Sequence, residues 1–287
     1  MIGIEKRVTF GWSARGHPGA ALPGVRRLRW PVPLLPIGWY NGRKPTGAAF
    51  AASMKNFASK PAWLTFDCYG TLIQWDEGLV AAVRAILTRA GACDVSSDRL
   101  IRLYDGKEHE LECGRPHLPF REVAGRALEY AMTELGLRFA AADIENLAHA
   151  ISAMPPFPEV LAALAQLKRM GFKLCIISNT DDDIIAGNVA QLGGHIDRVI
   201  TAQQAQAYKP AAQMFRHAHT ALGVTKYDLI HICASPLLDL RAASELGFRC
   251  IWVDRGTGRL PLRDYTPDAI VDKLDRVPVL FKQLGWS

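Results

Sequence analysis

The chain has 287 residues, of which 49% are hydrophobic and 22% are charged, a composition typical of a globular protein with a substantial core. It contains no run of about 18 apolar residues, so we predict no membrane-spanning helix and expect a cytoplasmic protein. The six cysteines form no CxxC pair, which argues against a zinc site or a disulfide framework and favours buried thiols in a reducing compartment.

The net charge of +6 is unevenly distributed along the chain. Residues 1–60 contain ten Lys or Arg and one acid, whereas residues 61–287 contain 24 basic and 27 acidic residues. The body of the chain therefore gives no electrostatic reason to expect a nucleic acid partner. Residues 1–60 are rich in Gly, Pro, Ala and Arg and show no hydrophobic period, so we predict a disordered or dispensable head, with Met54 as an alternative natural start.

The first predicted element after the head is a strand over Trp63–Phe66, which ends directly before Asp67. The run is apolar, rich in β-formers and too short for a helix, and Gly70 allows the backbone to turn sharply after it. Taken alone, Asp67 fits a turn residue or a helix N-cap. In a parallel sheet, however, ligands bind at the carboxyl ends of the strands, so Asp67 is also a candidate catalytic residue.

Only helical patterns follow this strand for about 75 residues, with the predicted helices at 77–90, 100–112, 120–135 and 141–153. Several of these helices end at a glycine or a proline, the usual helix stops. A stretch of this length without a strand signal indicates a helical subdomain inserted after the first strand, and we assign this cap to residues 79–155.

From Pro158 onward, strand and helix patterns alternate. Strands are predicted at 173–178, 198–201, 229–234, 250–253 and 269–271, and helices at 159–170, 181–192, 211–222, 237–246 and the C-terminus. Repeated βα units predict an α/β fold with a parallel, doubly wound, Rossmann-like sheet and right-handed crossovers. The core of this fold then comprises residues 61–78 and 156–287.

Further polar residues follow the predicted strands, at the same edge of the sheet as Asp67. They are Ser178, Asn179, Lys209, Ser235 and Asp239. Each one alone is explained as a helix cap, a solvated lysine or a charge in the first turn of a helix. Together they supply what a carboxylate nucleophile needs: a cation that keeps it ionised, hydrogen-bond donors for the substrate and a second carboxylate to position water.

The segments FDCYGTL, SNT, YKP and ASPLLD, in this order, resemble the four motifs of the haloacid dehalogenase superfamily. The resemblance extends from residue 61 to about residue 275 and implies a Rossmann-like core with a helical cap inserted after the first strand. It also implies roles: Asp67 as the nucleophile, Lys209 as the charge-balancing cation, Asp239 as the acid of the last motif, and Thr71, Ser178 and Asn179 as residues around the nucleophile and the substrate.

Two positions distinguish the branches of that superfamily. The phosphatase branch has a second aspartate two residues after the nucleophile, where this chain has Tyr69, and a further acid in the last motif, where this chain has Ser235. A halide leaves without protonation and without Mg²⁺, so both changes favour dehalogenation. The DCYGT segment is similar to the (S)-2-haloacid dehalogenase branch, which implies displacement of halide from C2 of a short 2-haloacid through an ester that water hydrolyses, with no metal or other cofactor.

The chain departs from that branch in three ways. A cap arginine receives the halide there, but the equivalent position here is Leu111, so we expect Arg115 or Arg102 to replace it. Pro236 and Phe215 stand where an asparagine and a tyrosine are expected. A Mg²⁺-dependent small-molecule phosphatase and a catalytically idle binding protein are therefore the alternatives.

The expected partner is a small 2-haloacid or a related carboxylate, with neither nucleic acid nor a membrane involved. The family also suggests a homodimer. The histidines show no metal-ligand spacing, and His231 is expected to pack within its strand.

Overall fold

The structure, a computed structural model, describes Phe57 and residues 59–287. The predictions for the head, including Met54 as a start, fall almost entirely outside these residues. The described end of the head takes part in the fold, because Phe57 is buried with its ring edge-on to Trp286, and the Lys60 ammonium donates to the Met170 carbonyl oxygen at 2.7 Å. The folded part of the chain therefore begins before the predicted boundary at residue 61.

A six-stranded, fully parallel sheet of order β3-β2-β1-β4-β5-β6 lies at the centre of the fold. Its strands are β1 (Trp63–Phe66), β2 (Lys173–Ser178), β3 (Arg198–Thr201), β4 (Leu229–Cys233), β5 (Arg249–Val253) and β6 (Ala269–Val271). Strand β1 lies between β2 and β4, where the strand order reverses and where ligands bind in open sheets of this kind. The predicted α/β, Rossmann-like, doubly wound sheet is confirmed.

The strands are apolar on both faces because helices cover both sides of the sheet. Successive side chains of a strand point to opposite faces, and here Ile176 and Ile232 join one buried cluster while Ile177 and Cys233 join the other. Four of the six predicted free thiols are buried, whereas Cys93 and Cys113 are exposed.

The part of the chain that the structure describes contains ten α-helices and one short π-helical turn at Pro236–Leu240. The helices are α1 (Trp75–Arg89), α2 (Ser97–Glu112), α3 (Phe120–Glu134), α4 (Ala141–Ser152), α5 (Val160–Arg169), α6 (Asp182–Ala190), α7 (Ala202–Ala205), α8 (Ala212–Leu222), α9 (Arg241–Leu246) and α10 (Arg276–Gln283). None of these described helices is long and apolar enough to cross a bilayer.

Helices α1 to α4 occupy the segment that the sequence assigns to the cap, although α1 starts before the predicted boundary at residue 79. Side chains of the core hold the start of α3. The two carboxylate oxygens of Asp181 accept hydrogen bonds from the backbone N–H groups of Phe120 and Arg121 at 3.0 and 2.9 Å, and the Tyr208 hydroxyl donates to the Leu118 carbonyl at 2.8 Å. A core residue thus supplies the N-cap that the sequence of α3 lacks.

Candidate active site

Asp67 lies directly after β1, at the carboxyl edge of the sheet. Its backbone N–H donates to the Ile232 carbonyl of β4 at 3.0 Å, which extends the sheet pairing to Asp67. Gly70 follows with φ of +80°, so the chain turns back over the strand end as predicted. Asp67 is 6% exposed, so its carboxylate is buried, and it lines a cavity.

The structure brings Asp67, Thr71, Lys209 and Asp239 into one hydrogen-bonded group. The Lys209 ammonium donates to Asp67 Oδ1 at 2.7 Å and to Asp239 Oδ1 at 2.9 Å. The Thr71 hydroxyl donates to Asp67 Oδ2 at 2.6 Å and itself accepts from the Ala234 N–H at 2.8 Å, which directs its hydrogen toward the carboxylate. Both oxygens of the predicted nucleophile therefore have a donor.

Lys209 is the charge that allows two carboxylates to share this buried space. Burial would lower the pKa of Lys209, but the Asp239 and Asp67 carboxylates outweigh it and raise that pKa, so the ammonium stays protonated. Burial raises the pKa of Asp67, and Lys209 opposes this rise. Burial also acts against ionisation of Asp239, yet Lys209 and His231 hold its pKa below the ordinary value.

His231 belongs to this group, although the sequence predicted only that it would pack within its strand. Its Nε2 lies 3.0 Å from Asp239 Oδ1 and its Nδ1 lies 2.8 Å from the Thr65 hydroxyl of the neighbouring strand. Phe215, which replaces an expected tyrosine, packs edge-on against the imidazole. A polar residue inside the apolar run Leu229–Cys233 was the available signal for this contact.

His231, Cys233 and Asp239 place ligand atoms within 4.8 Å of one another, below the strand ends. Their chemistry does not fit Mg²⁺, which prefers several oxygen ligands. Asp239 Oδ1 is already engaged by Lys209 and His231, and the hydroxyl of Ser235 accepts from the Leu238 N–H at 3.3 Å. Asp239 Oδ2 has no hydrogen-bond partner among the described residues, but the side chain is completely buried. The absence of a metal requirement stays a prediction.

A cavity of about 150 Å³ opens above Asp67, and both core and cap residues line it. Besides Asp67, five of the predicted substrate-side and catalytic residues line the core side, namely Tyr69, Ser178, Asn179, Lys209 and Ser235. Thr71 and Asp239 do not line the cavity: Thr71 donates to Asp67 directly, and Asp239 is connected to it through Lys209. The cap contributes Trp75, Glu108, Glu112 and Phe120.

Arg115 does not line this cavity, which corrects the expectation that it would replace the missing cap arginine. Its side chain is exposed, and its Nη1 donates to the carbonyl of Gly114 at 2.9 Å. Arg102, the second candidate, is also exposed and lies away from the cavity. The reason is the end of α2: Glu108 and Glu112 lie one turn apart on the face directed at the cavity, whereas Arg115 lies beyond the helix.

Glu112 and Arg259 were not predicted as site residues, and only Glu112 had a signal in the sequence. It is the last residue of α2, where the helix dipole disfavours a negative charge. Arg259 lies in the loop after β5 and also lines the cavity. Its two terminal nitrogens donate to the Asp76 carboxylate at 3.0 and 2.7 Å.

Asn179 connects the cap to the core. Its Oδ1 accepts from the Lys209 N–H at 2.7 Å, which orients the amide so that Nδ2 faces the Glu112 carboxylate at 3.4 Å. The neighbouring Ser178 hydroxyl is buried and has no hydrogen-bond partner among the described residues. The Tyr69 hydroxyl donates to Asn188 Oδ1 at 3.0 Å.

The stability of the fold should depend on pH through Glu108. Burial raises its pKa to about 8, with a hydrogen bond from the Tyr104 hydroxyl at 2.6 Å acting against this rise. The folded state holds the proton of such a carboxyl more tightly than the unfolded state does. The contribution of Glu108 to the unfolding free energy is therefore complete below its unfolded-state pKa and is lost as the pH rises toward 8. Between pH 5 and pH 8, the wild type should lose on the order of 1–2 kcal/mol more unfolding free energy than Glu108→Gln does.

Urea unfolding at the two pH values measures this difference. Glu110→Gln is the matched control, because Glu110 belongs to the same helix but is exposed and pairs with Lys107 at 2.6 Å. A pH dependence that is the same in wild type and Glu108→Gln would contradict the prediction.

Comparison with known proteins agrees with this fold. The family model of haloacid dehalogenase-like hydrolases matches residues 62–247. The (S)-2-haloacid dehalogenase of Pseudomonas sp. (strain YL) is 28% identical over 226 residues, which is 76% of this chain and 94% of that protein. The phosphoserine phosphatase of Thermus thermophilus is 32% identical over 120 residues, which is 41% of this chain and 46% of that protein.

Solved structures give the same fold. The L-2-haloacid dehalogenase from Xanthobacter autotrophicus superposes with a TM-score of 0.68 at 23% identity, over 78% of this chain and 99% of that chain. At this level of identity the superposition supports the fold of the core and the cap.

Proposed function

The chain belongs to the family of haloacid dehalogenase-like hydrolases, and on that basis we propose that it displaces halide from C2 of a short 2-haloacid or 2-haloacyl compound. One observation carries this proposal. The buried Asp67 carboxylate faces the cavity with Lys209 and Thr71 holding its oxygens, while the residue two positions later is Tyr69. The names of relatives such as the Pseudomonas enzyme support the same chemistry.

In the first step, a carboxylate oxygen of Asp67 attacks C2 from the side opposite the halogen. The C–O bond forms as the C–X bond breaks, the halide leaves with the bonding electron pair, and C2 becomes an ester of Asp67 with inverted configuration. The hydrogen bonds from Lys209 and Thr71 hold the carboxylate in place for this attack and exclude other orientations.

In the second step, water attacks the carbonyl carbon of the Asp67 ester. Negative charge then develops on the ester carbonyl oxygen, which is the Asp67 oxygen that did not attack C2. Its own donor stabilises this charge, Lys209 Nζ if the oxygen is Oδ1 and Thr71 Oγ1 if it is Oδ2. The bond between the carbonyl carbon and the ester oxygen breaks, and that oxygen takes one proton of the attacking water and leaves as the hydroxyl of the 2-hydroxy product. The second proton of the water is released to solvent, and Asp67 is again a carboxylate. Asp239 keeps Lys209 positioned through both steps at 2.9 Å.

The main alternative is a Mg²⁺-dependent phosphatase, the reaction class named for the Thermus relative. When Asp67 displaces the leaving group of a phosphate ester, that group is an alkoxide and needs a proton, whereas the halide displaced in the proposed first step does not. Tyr69 is a poor source of that proton, because burial raises its pKa well above the ordinary value and its hydroxyl already donates to Asn188.

Tyr69→Phe should therefore keep halide release within about fivefold of wild type, while it loses about 1 kcal/mol of unfolding free energy with the hydrogen bond to Asn188. Steady-state halide release and urea unfolding measure the two effects. A loss of activity beyond about 100-fold in a variant that stays folded would show that the hydroxyl takes part in the chemistry.

Halide release from 2-chloropropionate and 2-chloropropionamide in the presence of EDTA tests the proposed function directly. We expect release of chloride that depends on the enzyme and is unchanged by added Mg²⁺. Hydrolysis of p-nitrophenyl phosphate only with Mg²⁺, without halide release from either chloride, would replace the proposal with the phosphatase. Inactivity toward all three would favour a binding protein without catalysis.

A further inference from the structure

The cap side of the cavity carries acids where a halide- and carboxylate-binding arginine would be expected. Glu108 and Glu112 are four residues apart on α2, so their side chains project from the same face, and both line the cavity above Asp67. The cavity therefore presents three carboxyl groups to a ligand.

The cations that line the cavity are already paired. Among the described lining residues these are Lys209 and Arg259. Lys209 donates to Asp67 and Asp239, and the guanidinium of Arg259 binds Asp76 through two nitrogens. An incoming carboxylate would therefore gain no unpaired cation from the lining side chains, whereas N–H donors would meet carboxyl oxygens that can accept.

The cap acids are short of donors. Glu108 Oε1 accepts from the Tyr104 hydroxyl at 2.6 Å, whereas the Glu112 oxygens face the Asn179 amide at 3.4 Å, which is a weak contact. Burial raises the pKa of both carboxyls, with Lys209 opposing the rise at Glu112, and N–H donors placed beside them would favour the ionised, accepting form. The buried Ser178 hydroxyl, which lines the core side of the cavity, also has no partner among the described residues. The carboxyl oxygens of the cap acids and this hydroxyl can therefore both form hydrogen bonds with a polar ligand.

We propose that Glu108 and Glu112 select a substrate that carries N–H donors, an amide or a protonated amine, next to the halogen-bearing carbon, rather than a free carboxylate. This inference rests on the proposed function for the bond that is cleaved, but it concerns a different part of the substrate. The N–H groups would donate to the two glutamates, and the reacting carbon would lie over Asp67.

Three chlorides with the same reacting carbon and leaving group test the proposal: 2-chloropropionate, 2-chloropropionamide and N-(2-aminoethyl)-2-chloropropionamide. We measure chloride release at pH 7.5 and divide each kcat/KM by the uncatalysed rate. This ratio should be at least tenfold higher for the amide or for the amine than for the carboxylate. The compound with the higher ratio shows whether neutral or cationic N–H donors are preferred.

The Glu108→Gln/Glu112→Gln double variant should lower the preferred reaction at least tenfold and raise the reaction of the carboxylate. Glu110→Gln, an exposed acid of the same helix, is the matched control and should leave all three unchanged. A tenfold preference for 2-chloropropionate in wild type, unaltered in the double variant, would overturn the proposal while the proposed function stands.

Binding to Asp67→Asn separates this inference from the reaction itself. Calorimetric titration of that variant with the three chlorides should give tighter binding of the N–H compounds than of the carboxylate. If no chloride is released from any compound but this order of affinity holds, the proposed function fails and the inference about the ligand survives. Equal or reversed affinities would refute the inference without reference to turnover.

Discussion

Asp67→Asn should lower the rate of halide release by a factor of at least about 10⁴, the scale of loss when an enzyme loses its nucleophile. The amide has nearly the shape of the carboxylate but one acceptor oxygen instead of two, so only one of the two donors, Thr71 and Lys209, keeps its acceptor. It cannot, however, form the ester. Steady-state chloride release measures the effect, and Asp94→Asn, the same change at an exposed residue, is the matched control.

A single turnover in H₂¹⁸O with excess enzyme shows where water attacks. If the ester of Asp67 forms, its hydrolysis places ¹⁸O in the Asp67 carboxylate, and the product receives its oxygen from the protein. Peptide mass spectrometry of the segment that contains Asp67 detects the label. Label found only in the product, or more than 1% of the wild-type rate in Asp67→Asn, would contradict nucleophilic attack by this residue.

Lys209→Met should have the second largest effect, and it should reduce both stability and activity. In the wild type, the Lys209 ammonium lies 2.7 Å from Asp67 Oδ1 and 2.9 Å from Asp239 Oδ1. The change leaves both carboxylates buried without their shared cation. Loss of one partner from a buried ion pair costs about 3–5 kcal/mol of unfolding free energy. Halide release should fall by a factor of about 10³, because the group that stabilises charge on the Asp67 ester is gone.

Urea unfolding and chloride release measure the two effects, with Lys282→Met as the control at an exposed lysine. The double variant Lys209→Met/Asp239→Asn should recover part of the lost stability, because one of the two unpaired charges is removed, but none of the activity. Full stability in Lys209→Met would show that the two carboxylates do not both need this ammonium in the folded protein.

The sequence predicted the elements whose signals are local. The bounds of β2 and β3 agree with the predicted strands, because each is a short apolar run with clear stops. The residues at the strand ends also meet as predicted, since parallel strands bring their carboxyl ends to one edge. Helix α7 was missed, because it follows β3 directly and depends on loop geometry rather than on periodicity. The π-helical turn at Pro236–Leu240 lies at the start of the helix predicted at 237–246, and only its π-helical form was not foreseen.

The cap side of the site could not be predicted in the same way. Which face of α2 points at Asp67 depends on how the cap packs against the core, and contacts such as those of Asp181 with the start of α3 determine that arrangement. Arg259 reaches the cavity from a loop that has no regular pattern. Alignment from the start of α3 placed Leu111 at the arginine position and left Arg115 or Arg102 as replacements, whereas the end of α2 directs acids at the cavity instead.

The separation of the cavity into a core side and a cap side has a consequence for how this protein can be redesigned. In the proposed reaction, the groups that act on the reacting atoms all come from the sheet edge, whereas one turn of α2 lines another part of the cavity. Asn179 is the hydrogen-bonded link between them. A library confined to Glu108 and Glu112 would therefore sample new substrates while the nucleophile and its donors keep their geometry, so substrate range can diverge without a new reaction having to evolve.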